Sequence, residues 1–258
     1  MRKLLLLIIV SFFILYLIGD FFGLVLYQIA LLLWLPVLII LIGWFYWFRN
    51  IYFFRDPKRE PPSAENIIVS PADGRIMYIY PVKNGSVVSS KNGEDIVIDE
   101  ISKTSVKEKN GWLVGIYMSP FDVHYNYSPI DGLVKYIFHY QTGFNLPMVD
   151  FWEYINFTLL RKAVNLFSRK FHLVNERMTI EIVNESISCL LILIADKFVD
   201  KITKYFKEED KLMLGQKISF IERGSQADLF IAKENLNFSA KVGQQVYGCK
   251  TVICTYVD

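Results

Sequence analysis

From residue 4 to residue 48 the chain is almost continuously apolar; from residue 67 onward short runs alternate between apolar and polar positions. The two textures predict two kinds of element. Residues 4–19 and 21–48 carry no acidic or basic side chain, and only Asp20 separates them. A membrane-spanning helix needs roughly 20 apolar residues. The second stretch meets that length and the first is marginal. One reading is a helical hairpin turning at Gly19-Asp20-Phe21-Phe22-Gly23; the other is one long helix with a re-entrant or interfacial preface. Arg2 and Lys3 precede the apolar block, and Arg49, Arg55, Lys58 and Arg59 follow it. Positive residues at both ends favour the hairpin, with both ends cytoplasmic. A signal peptide is disfavoured, because no small-residue cleavage site follows residue 18 and a second apolar block does.

Residues 49–66 form a junction. Trp44–Phe48 and Tyr52–Phe54 read as an interfacial aromatic belt, and Arg55-Asp-Pro-Lys-Arg-Glu-Pro-Pro62 breaks any helix, since proline disfavours helix in the residue before it. Beyond it, strands are expected at Ile67–Ser70, Arg75–Tyr80, Ile96–Ile98, Trp112–Met118, Gly132–His139, Met178–Val183, Ser186–Ala195, Lys217–Ile221, Ala227–Ile231 and Val246–Tyr256. Asn-Gly at 84–85 and 92–93, and Asp-Gly at 73–74 and 131–132, mark turns between them. Two segments carry helical periodicity. Pro147–Lys170 has an aromatic apolar face and reads either as a helix packed on the β core or as an amphipathic element on the bilayer. Asp196–Phe206 is short and basic on one face. The expected architecture is α+β, mainly β: a transmembrane anchor over 1–50, a juxtamembrane linker over 51–66, and a sandwich- or barrel-like β domain with a few helices over 67–258.

Composition narrows the function. A net charge of +2 without a basic stripe gives no nucleic-acid footprint. Cys189, Cys249 and Cys254 sit in apolar strand-like runs without metal or redox spacing, and read as buried reduced thiols of a cytoplasmic domain. The three histidines, His124, His139 and His172, show no ligand spacing, so no metal site is expected.

Polar islands interrupt the strands: Ser70-Pro-Ala-Asp-Gly74; Met118-Ser-Pro-Phe-Asp-Val-His124, with Tyr125-Asn-Tyr-Ser-Pro-Ile-Asp-Gly132 after it; Asn175-Glu-Arg177; and Gly224-Ser225. Each alone reads as a turn or a solvated charge pair. A histidine between two turn signals is an acid–base candidate.

As an ordered set these islands resemble the phosphatidylserine decarboxylase family in its shorter, membrane-anchored form. The resemblance runs from Phe53-Phe-Arg-Asp-Pro57 through Pro71-Ala-Asp-Gly74, Asp122-Val-His124, Pro129-Ile-Asp-Gly132, Asn175-Glu-Arg177, Gly215, Gly224-Ser225 and Asp228 to Val242-Gly-Gln-Gln-Val246. It implies a proenzyme that cuts its own Gly224-Ser225 bond. Ser225 Oγ would attack the Gly224 carbonyl, giving an ester; β-elimination then frees the Gly224 carboxylate and leaves dehydroalanine at 225, whose imine tautomer is hydrolysed by water to a pyruvoyl group and ammonia. Serine is a weak nucleophile and needs a nearby base; glycine leaves the carbonyl uncrowded. The pyruvoyl cofactor would take the electron-sink role in decarboxylation otherwise filled by pyridoxal phosphate.

The resemblance also implies roles. Asp73 matches the aspartate that assists self-cleavage, and His124 the histidine of the decarboxylation step. A second family histidine, three residues on, falls on Tyr127 here, so Asp73 and His124 together are expected to activate Ser225. Asp122, Tyr127, Asn175, Glu176 and Arg177 are supporting candidates. The implied partners are an anionic serine phospholipid, diacyl or ether-linked, the membrane, and the two product chains with each other; a homo-oligomer is left open. The rival readings are a non-catalytic membrane-anchored β domain (an inactive relative) and a metal hydrolase using the three histidines. An inactive relative would more plausibly have lost Gly224, Ser225 or Asp73.

Overall fold

The computed structural model describes residues 2–88, 96–142, 145–148, 171–196, 202–222 and 225–257. The chain divides into two compact units, Met1–Phe54 and Arg55–Asp258. In the first, α1 (Arg2–Phe21) and α2 (Val25–Trp47) are separated by a break at Gly23, whose φ of +66° suits glycine. Gln28 Nε2 donates to the Asp20 carboxylate at 3.2 Å, giving the one charge in the apolar block a partner. A wider π turn, Phe48–Tyr52, follows α2. Among the described residues one helical segment, Tyr27–Tyr52 (mean hydropathy 2.5), is long and apolar enough to cross a membrane; Ile9–Phe21 is apolar but shorter.

The second unit is mostly β. Its strands are β1 (Ile67–Val69), β2 (Gly74–Lys83), β3 (Ser86–Val87), β4 (Ile96–Val97), β5 (Gly111–Met118), β6 (Tyr125–Tyr127), β7 (Gly132–Tyr140), β8 (Arg177–Val183), β9 (Ser188–Ala195), β10 (Ile202–Lys204), β11 (Lys211–Leu212), β12 (Lys217–Ile221), β13 (Ser225–Ile231), β14 (Leu236–Phe238), β15 (Gln245–Val246) and β16 (Val252–Tyr256). Two short helices, α3 (Ile98–Ser102) and α4 (Phe171–Val174), accompany them. The large sheet runs β11-β7-β8-β9-β13-β5-β2-β3-β4, with β15 also on β2; two small sheets run β1-β16-β14 and β10-β12-β6.

The central strands of the large sheet are buried on both faces, which explains why β9 reads Cys-Leu-Leu-Ile-Leu-Ile-Ala without polar alternation, whereas β7 nearer the edge alternates. Val114, Ile116, Leu191, Leu193, Ala227 and Leu229 enter one core, shared with Ile68, Ile218 and Ile253 of the small sheets. Leu113, Tyr117, Ile192, Ile194 and Phe230 enter a second core with Ile98 and Ile101 of α3 and with Phe171 of α4.

The turn expected at Asn84-Gly85 is a two-residue hairpin loop with φ of +50° and +82°, closing β2 onto β3. The turn at 92–93 lies outside the described residues, as does the helix expected over Pro147–Lys170 from residue 149 on. The helix expected over Asp196–Phe206 is corrected in its described part. Ile202–Lys204 is a strand, pairing with Ser219–Ile221. A three-turn helix there would gain few internal bonds, whereas the ladder to β12 completes a sheet and buries Ile202 and Phe206. The run expected over Val246–Tyr256 is two strands parted by a turn, in which Thr251 N donates to Tyr247 O and Cys249 takes φ +68°.

Candidate active site

One row of the large sheet runs Arg75–Tyr117–Gln226–Ile194–Arg177, and the next runs Met118–Ser225–Ala195. That second row is where β5 and β9 end and β13 begins. Asp73 stands two residues before Arg75, Asn175 two residues before Arg177, and the loop from Ser119 to His124 leaves β5 directly after Met118. Asp73, the His124 loop, position 225 and Asn175 therefore gather at one end of the sheet, although they lie far apart in the sequence.

The His124 loop is held by Asp122. Pro120 favours a turn, closed by Asp122 N to Ser119 O at 2.9 Å. Asp122 Oδ2 accepts from Ser119 N (2.8 Å) and Oγ (2.7 Å), and its Oδ1 accepts from Gln245 Nε2 at 2.9 Å. Burial nevertheless raises the Asp122 pKa, against the Ser119 bonds. His124 is fully buried, with Nδ1 3.0 Å from the Asp122 carbonyl. A carbonyl only accepts, so Nδ1 carries the proton and Nε2 the lone pair. Burial lowers the His124 pKa to about 3, partly offset by that hydrogen bond and reinforced by the charge of Arg55. Ile221 N donates to His124 O at 3.1 Å, which ties the loop to the strand running toward residue 224.

Asp73 is buried and fully engaged. Its Oδ1 accepts from Gly248 N at 2.8 Å and from Arg59 Nη1; its Oδ2 accepts from Arg59 Nη2 at 2.7 Å. Arg59 Nη1 also donates to Gly248 O at 2.8 Å. Burial works against the Arg59 charge, but Asp73 outweighs it and the Arg59 pKa is raised. Tyr127 packs beside this pair: a Cβ on Gly248 would come within 2.6 Å of its ring. Burial pushes the Tyr127 hydroxyl up to about 12, with Arg59 opposing.

The supporting candidates divide. Asn175 ties the sheet end together, donating to Ala195 O (2.7 Å) and Leu146 O (2.8 Å) and accepting from Leu146 N (2.8 Å). Glu176 pairs with His139 at 2.7 Å. Arg177 is fully buried and donates to backbone carbonyls of Ile101 (2.6 Å) and Asn175 (2.8 Å), and also to that of His172. Among the described residues no three His, Cys, Asp or Glu side chains gather as a metal site would need. Cys189, Cys249 and Cys254 are buried free thiols.

The phosphatidylserine decarboxylase family matches residues 48–254 of this chain. The chain belongs to this family. Its relatives include a protein of Methanocaldococcus jannaschii, provisionally named an archaetidylserine decarboxylase proenzyme, 35% identical over 79% of this chain and 88% of its own length. A phosphatidylserine decarboxylase proenzyme of Carboxydothermus hydrogenoformans is 29% identical over 85% of this chain and 84% of its own length. The word proenzyme in both names describes a precursor that matures.

In this phosphatidylserine decarboxylase family member, the sequence does not announce the partners of two buried carboxylates, Asp73 and Asp228. Arg59 was counted among flanking positive charges, and nothing in a Pro-rich segment marks a partner 14 residues on. The second lies in a buried cluster on the second-core face. Tyr78 Oη (2.7 Å) and Gln226 Nε2 (2.6 Å) both donate to Asp228 Oδ1, and His172 Nε2 lies 2.9 Å from Tyr78 Oη and 3.5 Å from Asp228 Oδ2. Burial and then the Asp228 charge raise the Tyr78 pKa well above its ordinary value. Its sequence signals are the place of Asp228 in the family resemblance and a carboxylate inside the apolar run Ala227–Ile231, neither of which points to Tyr78 or His172. A surface groove of about 770 Å³ lies between Ala64–Ile67, Asp131–Leu133 and Val183–Ser186, among residues outside the strand-end row.

Proposed function

We propose that this chain is a self-processing, pyruvoyl-dependent decarboxylase of serine phospholipids, cut between Gly224 and Ser225 and attached to the membrane with its catalytic unit on the cytoplasmic side. The observation that carries this reading is the strand-end row. Position 225 lies between Met118 and Ala195, and the Asp73 and His124 segments reach the same end of the sheet. Family membership and the names of the relatives support decarboxylation over an inactive relative, and Gly224, Ser225, Asp73 and His124 are all retained.

The residues present fit a cofactor made from Ser225. Its backbone opens a strand bonded on both sides, so a group formed at that chain end is held in register by β5 and β9. When formed, the pyruvoyl group supplies a carbonyl that engages the substrate amine and takes up the electron pair left by CO₂. The chain's own residues do the rest. Asp122 fixes the His124 loop, and its carbonyl holds the proton on His124 Nδ1. That leaves Nε2 of a neutral ring to accept a proton, first from Ser225 Oγ during processing, with Asp73 assisting, and to move one at the substrate carbon later.

Phosphatidylserine and archaetidylserine share the phosphoserine head group, and the reading is for that head group. The apolar unit would cross as a hairpin with both ends cytoplasmic, so the lipid need not leave the bilayer. Cationic residues near the surface would attract anionic lipid, at about 1 kcal/mol each. Intact-mass measurement of the purified protein tests the reading. Expected are a chain ending at Gly224 and a 34-residue chain beginning with a pyruvoyl group at 225; Ser225→Ala stays uncut and inactive. A single uncut wild-type chain sinks the reading.

A further inference from the structure

The segment that follows the apolar unit does more than connect. Its polar residues reach three separate pieces of the strand-end site. Arg55 Nη2 donates to Phe121 O in the His124 loop. Asp56 accepts from Lys217 Nζ, at the start of the strand that runs toward residue 224. Arg59 takes both oxygens of Asp73 and the carbonyl of Gly248. The Arg59 and Asp73 side chains are 7% and 5% exposed, whereas Arg55 and Asp56 make their contacts at the surface.

We propose that Arg59 is a positioning residue for self-processing: its guanidinium sets the plane of the Asp73 carboxylate at the sheet end where β13 opens with Ser225. Asp73 sits in a turn between Ala72 and Gly74, where Ser70 Oγ already donates to Ala72 O at 2.7 Å. The backbone there is fixed, but the carboxylate can still rotate about its own side-chain bonds. One amide, Gly248 N, pins a single oxygen and leaves that rotation open. A planar guanidinium bonded to both oxygens closes it, and the third bond to Gly248 O locks the guanidinium in turn. Lysine cannot reproduce this, since one ammonium cannot present two parallel N–H groups in a fixed plane.

The proposal rests on the processing reading above. The test follows scission of newly made full-length chain over time in the presence of lipid vesicles, by intact mass, for wild type, Arg59→Ala and Arg59→Lys. Both variants should cut about 10²-fold more slowly, the cost of a misplaced catalytic group. Methylguanidinium added to Arg59→Ala should restore much of the rate, which a merely structural loss would not allow. Unfolding midpoints in the uncut Ser225→Ala background report folding separately; if Arg59→Ala does not fold, Arg59→Lys carries the test. A wild-type rate in Arg59→Lys, or slow cutting of folded Arg59→Ala that methylguanidinium leaves unchanged, overturns the role of Arg59 while the processing reading stands. An uncut wild-type chain removes both.

Discussion

The Arg59 guanidinium lies 5.4 Å from the centre of the Tyr127 ring while it grips Asp73. The ring is buried, and its hydroxyl has no hydrogen-bond partner among the described residues. A buried hydroxyl left unmatched costs about 1–3 kcal/mol. Tyr127→Phe keeps the ring and removes that cost. It should be as stable as wild type, or more stable by about 1 kcal/mol, with processing intact. Chemical unfolding and intact mass check the two halves. A folded Tyr127→Phe that no longer cuts itself would give the hydroxyl a chemical role in place of the family's second histidine.

His124 makes stability depend on pH. Its pKa is about 3 in the folded chain and 6.5 when unperturbed. The unfolded chain therefore binds a proton that the folded chain refuses. The contribution of His124 is full above pH 6.5 and is lost as pH falls from there toward 3. The slope approaches about 1.4 kcal/mol per pH unit. Unfolding of the uncut Ser225→Ala protein across that window, compared with the same protein carrying His124→Asn, should show this slope only when the histidine is present.

Asp228 is the carboxylate whose charge supports Arg177, which burial lowers to about 10. Asp228→Asn keeps an acceptor for Tyr78 but leaves the buried guanidinium without that charge. The unfolding free energy of Asp228→Asn in the uncut Ser225→Ala background is expected to fall below that of its parent. Combining it with Arg177→Met should cost less than the two changes added together, because the pair is coupled. Strict additivity would mean that Arg177 depends on its backbone carbonyls alone.

Much of the β unit was legible because its strands are buried on one or both faces, which writes either alternation or unbroken apolar runs. The expected runs at Trp112–Met118, Met178–Val183 and Ser186–Ala195 overlap β5, β8 and β9. What failed was the short piece decided by tertiary pairing: Ile202–Lys204 is a strand only because β12 offers it an edge. The site was legible as motifs and not as geometry. Asp73 and His124 stand out as polar residues between turns, and both lie at the end of the sheet where β13 begins. The partners of Asp73 did not stand out. Arg59 and Gly248 come from opposite ends of the sequence, and neither residue type announces a carboxylate partner. Arg177 looked like part of a solvated pair, yet it is wholly buried and spends its donors on the turn around α4.

If the chain is cut between 224 and 225 as proposed, the place of β13 has a consequence for how the protein can be rebuilt. The piece from 225 onward begins with a strand bonded along its whole length to β5 on one side and β9 on the other, and it continues through strands shared with β1 and β2. The uncut chain can insert that strand in a unimolecular step, because its sequence neighbours deliver it. The mature protein, once denatured, would have to recapture a separate 34-residue peptide from solution. Its renaturation would become second order and depend on concentration, and the proposed scission would leave a protein that keeps its shape by its slow rate of coming apart.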